Sequence, residues 1–200
     1  MNSQYAATYN TGLMTTETEQ TQSIYGILMQ HSQGLPNGRA LACMISSLYK
    51  GQGAMPSRLG LSRADFKSLL QYHFTGCRLP ADPRIELLSD ERALESDDLK
   101  RLFLTHRRSN DTECEWIADM LIAGCMASDH LWQDLGLWQR ADLTALIQYN
   151  FPTLAAKNDR DMKWKKFFYK QLCISEGIYI CRAPSCEVCA DYDNCFGSEE

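Results

Sequence analysis

Apolar side chains recur along this chain at intervals of three and four residues, and nowhere do they alternate with polar ones over a useful length. That period marks amphipathic helices that turn one face inward, not strands. Ile24, Ile27, Leu28 and His31 share a face of a helix over Ser23–Gln33, which the run Gly34-Leu-Pro36-Asn-Gly38 interrupts. Leu41, Met44, Ile45 and Leu48 do the same for a helix over Arg39–Lys50. Three glycines and Pro56 make Gly51–Gly60 a loop. Ser62-Arg-Ala-Asp65 then reads as the N-terminal cap of a helix running through Tyr72.

A connector containing Pro80 and Pro83 leads into an acidic segment, where Leu87, Leu88, Leu94, Leu99, Leu102 and Phe103 predict one or two helices with a charged outer face. Thr112-Glu-Cys-Glu115 matches a capping box and opens a helix through Trp116, Met120, Leu121 and Ala123 to about Ala127. His130-Leu-Trp-Gln-Asp-Leu-Gly136 predicts a short helical turn, and Arg140–Asn150 a helix that ends near Phe151-Pro152, since the residue before proline is pushed out of helical geometry. Asp161–Ser175 is the last predicted helix, with Gly177 as its C-terminal cap. There is no internal repeat. The pattern predicts an all-α protein: a polar, disordered tail over residues 1–20, a helical domain over 21–177, and a C-terminal cysteine-rich metal-cluster loop over 178–200.

Composition sharpens this picture in three respects. A chain of 200 residues buries roughly 70 % of its unfolded surface, so the helical body needs no metal merely to fold. A formal net charge of −5 argues against a nucleic-acid binder, which carries a basic footprint. The N-terminus lacks the charged and apolar regions of a secretory signal, and no apolar run is long enough for a bilayer, so a soluble cytoplasmic protein with no membrane association is expected. In a reducing compartment the odd count of nine cysteines points to thiols and metal ligands in place of a disulfide framework.

Four of those cysteines, Cys181, Cys186, Cys189 and Cys195, crowd one short stretch with the spacing C-x4-C-x2-C-x5-C. Thiols so close in sequence cannot staple distant parts of a fold, but they can converge on one sulfur-bonded centre. A zinc ribbon usually joins two C-x2-C pairs and only one is present here, although compact zinc knuckles exist. Iron–sulfur proteins collect several thiolates from a short run, and this spacing differs from the ferredoxin run C-x2-C-x2-C-x3-C. Zinc and an iron–sulfur cluster both stay open on these residues alone. Pro184 stiffens the first gap, while Asp191, Asp193 and Asn194 favour turns in the last.

Other residues qualify as accessories. Cys173, one turn before Gly177, is either an extra or transient ligand or a packed apolar residue, and Cys43, Cys114 and Cys125 belong to helical core patterns. Arg160, Lys163, Lys166 and Lys170 form a basic stripe beside the apolar stripe of Trp164, Phe168 and Leu172. That stripe suits an oxyanion, an acidic partner or plain solvation. His130 is a candidate nitrogen ligand or a packed histidine, whereas His31, His73 and His106 show no ligand spacing. No phosphate-cradling loop and no nucleophile–base constellation is present, so an ordinary hydrolase or transferase is not indicated. Two other readings remain: a zinc-stabilised protein-interaction module, and a redox or sulfur-transfer enzyme using one reactive cysteine such as Cys173.

The C-terminal cysteine spacing with Phe196-Gly197, the preceding Met162-Lys-Trp164-Lys-Lys-Phe167-Phe-Tyr-Lys-Gln-Leu-Cys173, and the upstream His130-Leu-Trp-Gln-Asp-Leu-Gly-Leu137 together resemble the NifQ family of nitrogen-fixation proteins, over about the last third of the chain. The resemblance implies a molybdenum–iron–sulfur cluster carrier, not an enzyme, that supplies molybdenum for assembly of the nitrogenase iron–molybdenum cofactor. It implies Cys181, Cys186, Cys189 and Cys195 as ligands of a cluster of molybdenum, iron and sulfide. It also implies molybdate or a molybdenum storage source upstream, and the NifEN scaffold with the nitrogenase iron protein NifH downstream.

Overall fold

The computed structural model of the chain describes residues 23–82, 93–175, 177 and 192–197. Ten α-helices follow one another among them: α1 (Ile24–Gln30), α2 (Gly38–Tyr49), α3 (Arg63–His73), α4 (Ala93–Thr105), α5 (Thr112–Cys125), α6 (Leu131–Asp134), α7 (Arg140–Asn150), α8 (Pro152–Ala155), α9 (Trp164–Ser175) and α10 (Tyr192–Phe196). A single 3-10 turn, Ser57–Gly60, lies in the predicted loop. No strand occurs among the described residues, so the fold is all-α. The predicted tail over 1–20 and the start of the acidic segment, with Leu87 and Leu88, lie outside the described residues.

The apolar spacing finds its partners as periodicity requires. α2 is the most enclosed helix: Leu41, Ala42, Cys43, Met44, Ile45 and Leu48 are all at most 1 % exposed, and it packs between α1 and α7. α5 supplies Trp116, Ile117, Met120 and Leu121 and packs against α3, α4 and α6. α4 in turn leans on α9. Where they meet, Phe103 of α4 contacts Phe151 at 5.0 Å and Phe168 of α9 at 4.9 Å between ring centres, and Trp164 sits 5.7 Å from Phe168. Each such ring removes enough apolar surface from water to contribute about 2–3 kcal/mol, and each tilted pair adds about 1 kcal/mol. Helix α9, which precedes the cysteine stretch, is therefore part of the core.

Local signals decide where helices start. Ser62 caps α3 as its sequence suggests, its hydroxyl oxygen accepting from the Asp65 N–H at 3.1 Å and its O–H donating to the Asp65 carboxylate at 2.6 Å. The start of α5 differs from expectation: the cap is Asp111, whose carboxylate accepts the Cys114 N–H at 3.0 Å, and Thr112 is already the first helical residue. Asp is as good a cap as Thr and carries a charge that suits the positive end of the helix. α7 ends at Asn150 as expected, but Pro152 then opens the extra turn α8, because proline is preorganised for a first helical position. Gly136 takes φ +72° between α6 and α7, and a Cβ there would lie 2.7 Å from the Ser47 Cβ, so the chain leaving α6 can press this closely on α2 only as glycine.

A polar cluster crosses the core. Asn37 Nδ2 donates to Glu113 Oε1 at 2.8 Å and to Asn150 Oδ1 at 3.0 Å, Asn150 Nδ2 returns a bond to Asn37 Oδ1 at 2.9 Å, and His73 Nε2 lies 3.1 Å from Glu113 Oε1. All four side chains are buried. Arg108 approaches the other Glu113 oxygen at 3.3 Å and stacks over Tyr149, 4.4 Å from its ring centre. Burial pushes the Glu113 carboxyl up, but hydrogen bonds from His73 and Asn37 and the charges of His73 and Arg108 outweigh it and hold the group below the ordinary glutamate value. The cluster joins the start of α2 to α3, α5 and α7.

Candidate metal centre

The approach to α9 is built as a tight bend. Asn158 clasps Met162 on both sides, its Oδ1 accepting the Met162 N–H at 2.8 Å and its Nδ2 donating to the Met162 carbonyl at 2.9 Å. Arg140 holds Asp161 with two nitrogens, at 2.6 Å and 2.8 Å, where Asp161 takes φ +53°. The helix accordingly starts at Trp164, three residues later than its sequence pattern suggests. Arg160 is therefore in the bend and not on a helical stripe, and the expected run of four cations on one face does not form. Lys166 and Lys170 stand exposed on α9.

The cation that the spacing passed over does more for the architecture. Lys165 ion-pairs with Asp134 at the end of α6 and donates to the Ala127 carbonyl at 2.8 Å. Its side chain is 17 % exposed and that of Asp134 only 2 %.

Lys163 joins the described end of the cysteine stretch, α10, to the body. Its backbone N–H donates to the Cys195 carbonyl at 2.8 Å, and its Nζ donates to the Asp193 carbonyl at 2.9 Å. The Asp193 carbonyl also accepts the Gly197 N–H at 2.9 Å, which closes the turn of α10. A Cβ on Gly197 would fall 2.5 Å from that same oxygen, so only glycine lets the turn close. Tyr192 stacks on Phe196 at 4.7 Å, and Cys195 and Phe196 lie against the hydrophobic core. Cys195 is thus half-buried and held at the start of α9. The other three cysteines of the stretch, Cys181, Cys186 and Cys189, lie outside the described residues.

The remaining thiols divide by environment. Cys43 and Cys125 are buried; desolvation pushes Cys43 up to about 11 and Cys125 up to about 12, despite the lowering charges of Arg39 and Lys165 respectively. Burial likewise raises Cys114 and Cys77. Groups that resist ionisation in this way are poor metal ligands. Cys173 is half-buried near the end of α9. A rise of about 1.5 Å per residue puts it roughly 15 Å along the axis from Lys163, so it does not sit beside Cys195.

His130 occupies the N-cap position of α6, half-buried, and His73 is buried with its Nε2 3.1 Å from Glu113 Oε1. Among the described residues no three His, Cys, Asp or Glu side chains gather as a metal site. An open groove of about 490 Å³ runs beside α4 and α9, with Asp98, Arg101, His106, Lys157, Leu172 and Ile174 in its wall; Cys173, Cys195 and His130 do not line it.

Comparison with known proteins adds the family. The model of the family NifQ matches residues 40–197. The chain belongs to the NifQ family. It is 39 % identical over 167 residues to protein NifQ of Azotobacter vinelandii, covering 78 % of this chain and 86 % of that one. It is 38 % identical over 164 residues to protein NifQ of Rhodobacter capsulatus, covering 81 % and 88 % respectively. The NifQ homolog of Sinorhizobium fredii is 35 % identical over 163 residues, covering 80 % of this chain and 71 % of its own. No solved structure matches the chain.

The NifQ match begins at residue 40 and takes in nearly all of the helical body, far more than the C-terminal motifs that carry the resemblance in sequence. Membership of NifQ carries a role in nitrogen fixation. No helix among the described residues is long and apolar enough to cross a membrane.

Proposed function

We propose that this protein carries a molybdenum–iron–sulfur cluster and donates its molybdenum for biosynthesis of the nitrogenase iron–molybdenum cofactor. The observation that carries this reading is the set of four cysteines, C-x4-C-x2-C-x5-C, in the last stretch of a NifQ-family chain. Soft thiolates suit iron and sulfur-ligated molybdenum far better than they suit hard oxygen-loving cations. The place of Cys195 supports the reading: it lies half-buried at the edge of the body, in contrast to Cys43 and Cys125, which burial keeps protonated. Cys181, Cys186, Cys189 and Cys195 hold the cargo as thiolates, giving up their protons on binding. The protein works by transfer and not by turnover. Molybdate or a molybdenum store supplies it in the cytoplasm, and the NifEN scaffold with the iron protein NifH receives from it.

The deciding experiment is elemental analysis for molybdenum, iron and zinc, with a visible spectrum, on protein purified without oxygen from cells given molybdate. Brown protein containing iron and molybdenum is the expected result. Colourless protein with about one zinc and no iron overturns it and makes the cysteine stretch the metal knuckle of an interaction module.

A further inference from the structure

We propose that Lys163 is a positioning residue for Cys195, with Gly197 as its counterpart on the other side of the same turn. The inference rests on the reading of Cys195 as a donor to the cargo, and it concerns how this thiol is held in place before anything is bound. α10 is only five residues long, far too short to be stable by its own hydrogen bonds. Something outside it must hold it. Two contacts from the body to its backbone come from Lys163: the N–H to the Cys195 carbonyl and the ammonium to the Asp193 carbonyl. The first satisfies a carbonyl at the end of α10 that the helix itself leaves without a partner. The second brings a positive charge to the same C-terminal end, where a cation is favourable.

The Asp193 carbonyl is the shared point of this arrangement. Its two lone pairs take the Lys163 ammonium and the Gly197 N–H, both at 2.9 Å, so the turn is closed from within and pinned from without at one atom. Cys195 lies between these two bonds in sequence, and its own carbonyl is the third point of attachment. The place of Lys163 is itself fixed, because Asn158 and Arg140 rigidify the bend that delivers it. This gives Lys163 a task other than attracting anions. It also explains why a glycine follows Phe196, since any side chain there would drive into the Asp193 carbonyl.

Two measurements test the proposal. In metal-free, reduced protein, the alkylation rate of Cys195 is followed by mass spectrometry of its peptide, with Cys173 as internal reference. Lys163→Met should raise the Cys195 rate about 3- to 5-fold relative to Cys173, the size expected for one exposed charge-assisted hydrogen bond, while Lys163→Arg should stay within about twofold of the parent. Gly197→Ala should raise it further, because it opens the turn itself. In protein loaded anaerobically with iron and sulfide, iron loss to a chelator should accelerate in Lys163→Met and Gly197→Ala and be restored in Lys163→Arg. Unchanged alkylation of Cys195 in Lys163→Met overturns the proposal, whatever Gly197→Ala does. If alkylation responds but the parent protein takes up no iron, the tether stands and the proposed cargo falls.

Discussion

Lys165 on α9 and Asp134 at the end of α6 form an ion pair in which the carboxylate is 2 % exposed. The same residue, Asp134, accepts the Ala54 N–H on its backbone carbonyl at 2.8 Å, so one position joins the glycine-rich loop, α6 and α9. A buried carboxylate stripped of its partner is expensive, whereas a neutral pair of similar shape is not. Lys165→Met should therefore cost about 3 kcal/mol in urea unfolding, and Asp134→Asn combined with Lys165→Met should recover a good part of that. Lys166→Met, one residue along on the exposed face, should change stability by less than about 0.5 kcal/mol. Equal costs for the two lysines would show that the pair contributes nothing.

The Asn37–His73–Glu113–Asn150 cluster predicts a particular response to acid. The Glu113 carboxyl is held below the ordinary glutamate value in the folded protein. Its contribution is therefore complete above the unfolded value of about 4.3 and is lost as pH falls through the lower folded value. Stability should drop on acidification below about pH 4, and Glu113→Gln should flatten part of that acid limb. At pH 7 the same substitution should cost about 2 kcal/mol, because the amide cannot serve Asn37, His73 and Arg108 as acceptor at once. Chemical denaturation at a series of pH values measures both effects, and an acid limb of undiminished slope in Glu113→Gln would sink the assignment.

Helix periodicity made most of this fold legible, since Leu41, Met44, Ile45 and Leu48, or Trp116, Met120 and Leu121, bury as their spacing requires. What the sequence hid was of two kinds. Asp111 takes the cap that the capping-box pattern gives Thr112, since either residue type can cap, and the bend at Asp161 cuts three residues from α9, because that bend depends on a contact to the distant Arg140. The stripe rule that grouped Lys163 with Lys166 and Lys170 likewise says nothing about tertiary partners, so it missed Lys165 and gave Lys163 the wrong company. For the candidate site, cysteine spacing marks Cys181, Cys186, Cys189 and Cys195 as the proposed donors, but only contact with the body reveals what holds Cys195. The signal available in sequence was Phe196-Gly197, a turn closure directly after the last cysteine.

Thiol reactivity should follow burial. At pH 8 a thiol pushed up to about 12, as in Cys125, is ionised about one part in ten thousand, and one at about 11, as in Cys43, about one part in a thousand. In native, metal-free protein Cys173 and Cys195 should be alkylated well before Cys43, Cys114 and Cys125. Unfolding in urea should make all nine cysteines equivalent within about an order of magnitude. Peptide mass spectrometry after timed quenching reads the order directly, and early labelling of Cys125 would contradict its place in the core.

Single substitutions separate cargo from fold. Replacing Cys181, Cys186, Cys189 or Cys195 by Ala should each lower the iron and molybdenum bound, since removing one donor opens a coordination position to water. The helical body has its own core, from Phe103, Phe151 and Phe168 to α2, so helical circular dichroism should match the parent and the free energy of urea unfolding should stay within about 0.5 kcal/mol of it. Cys173→Ala should leave the metal content unchanged, because that thiol lies at the far end of α9 from the point where Cys195 is held. If Cys173→Ala strips metal as thoroughly as Cys195→Ala, the two ends of α9 act on one centre and the division of roles argued from their separation is wrong. If instead Cys195→Ala unfolds the body, the cysteine stretch is a structural element and its release to an acceptor is not feasible.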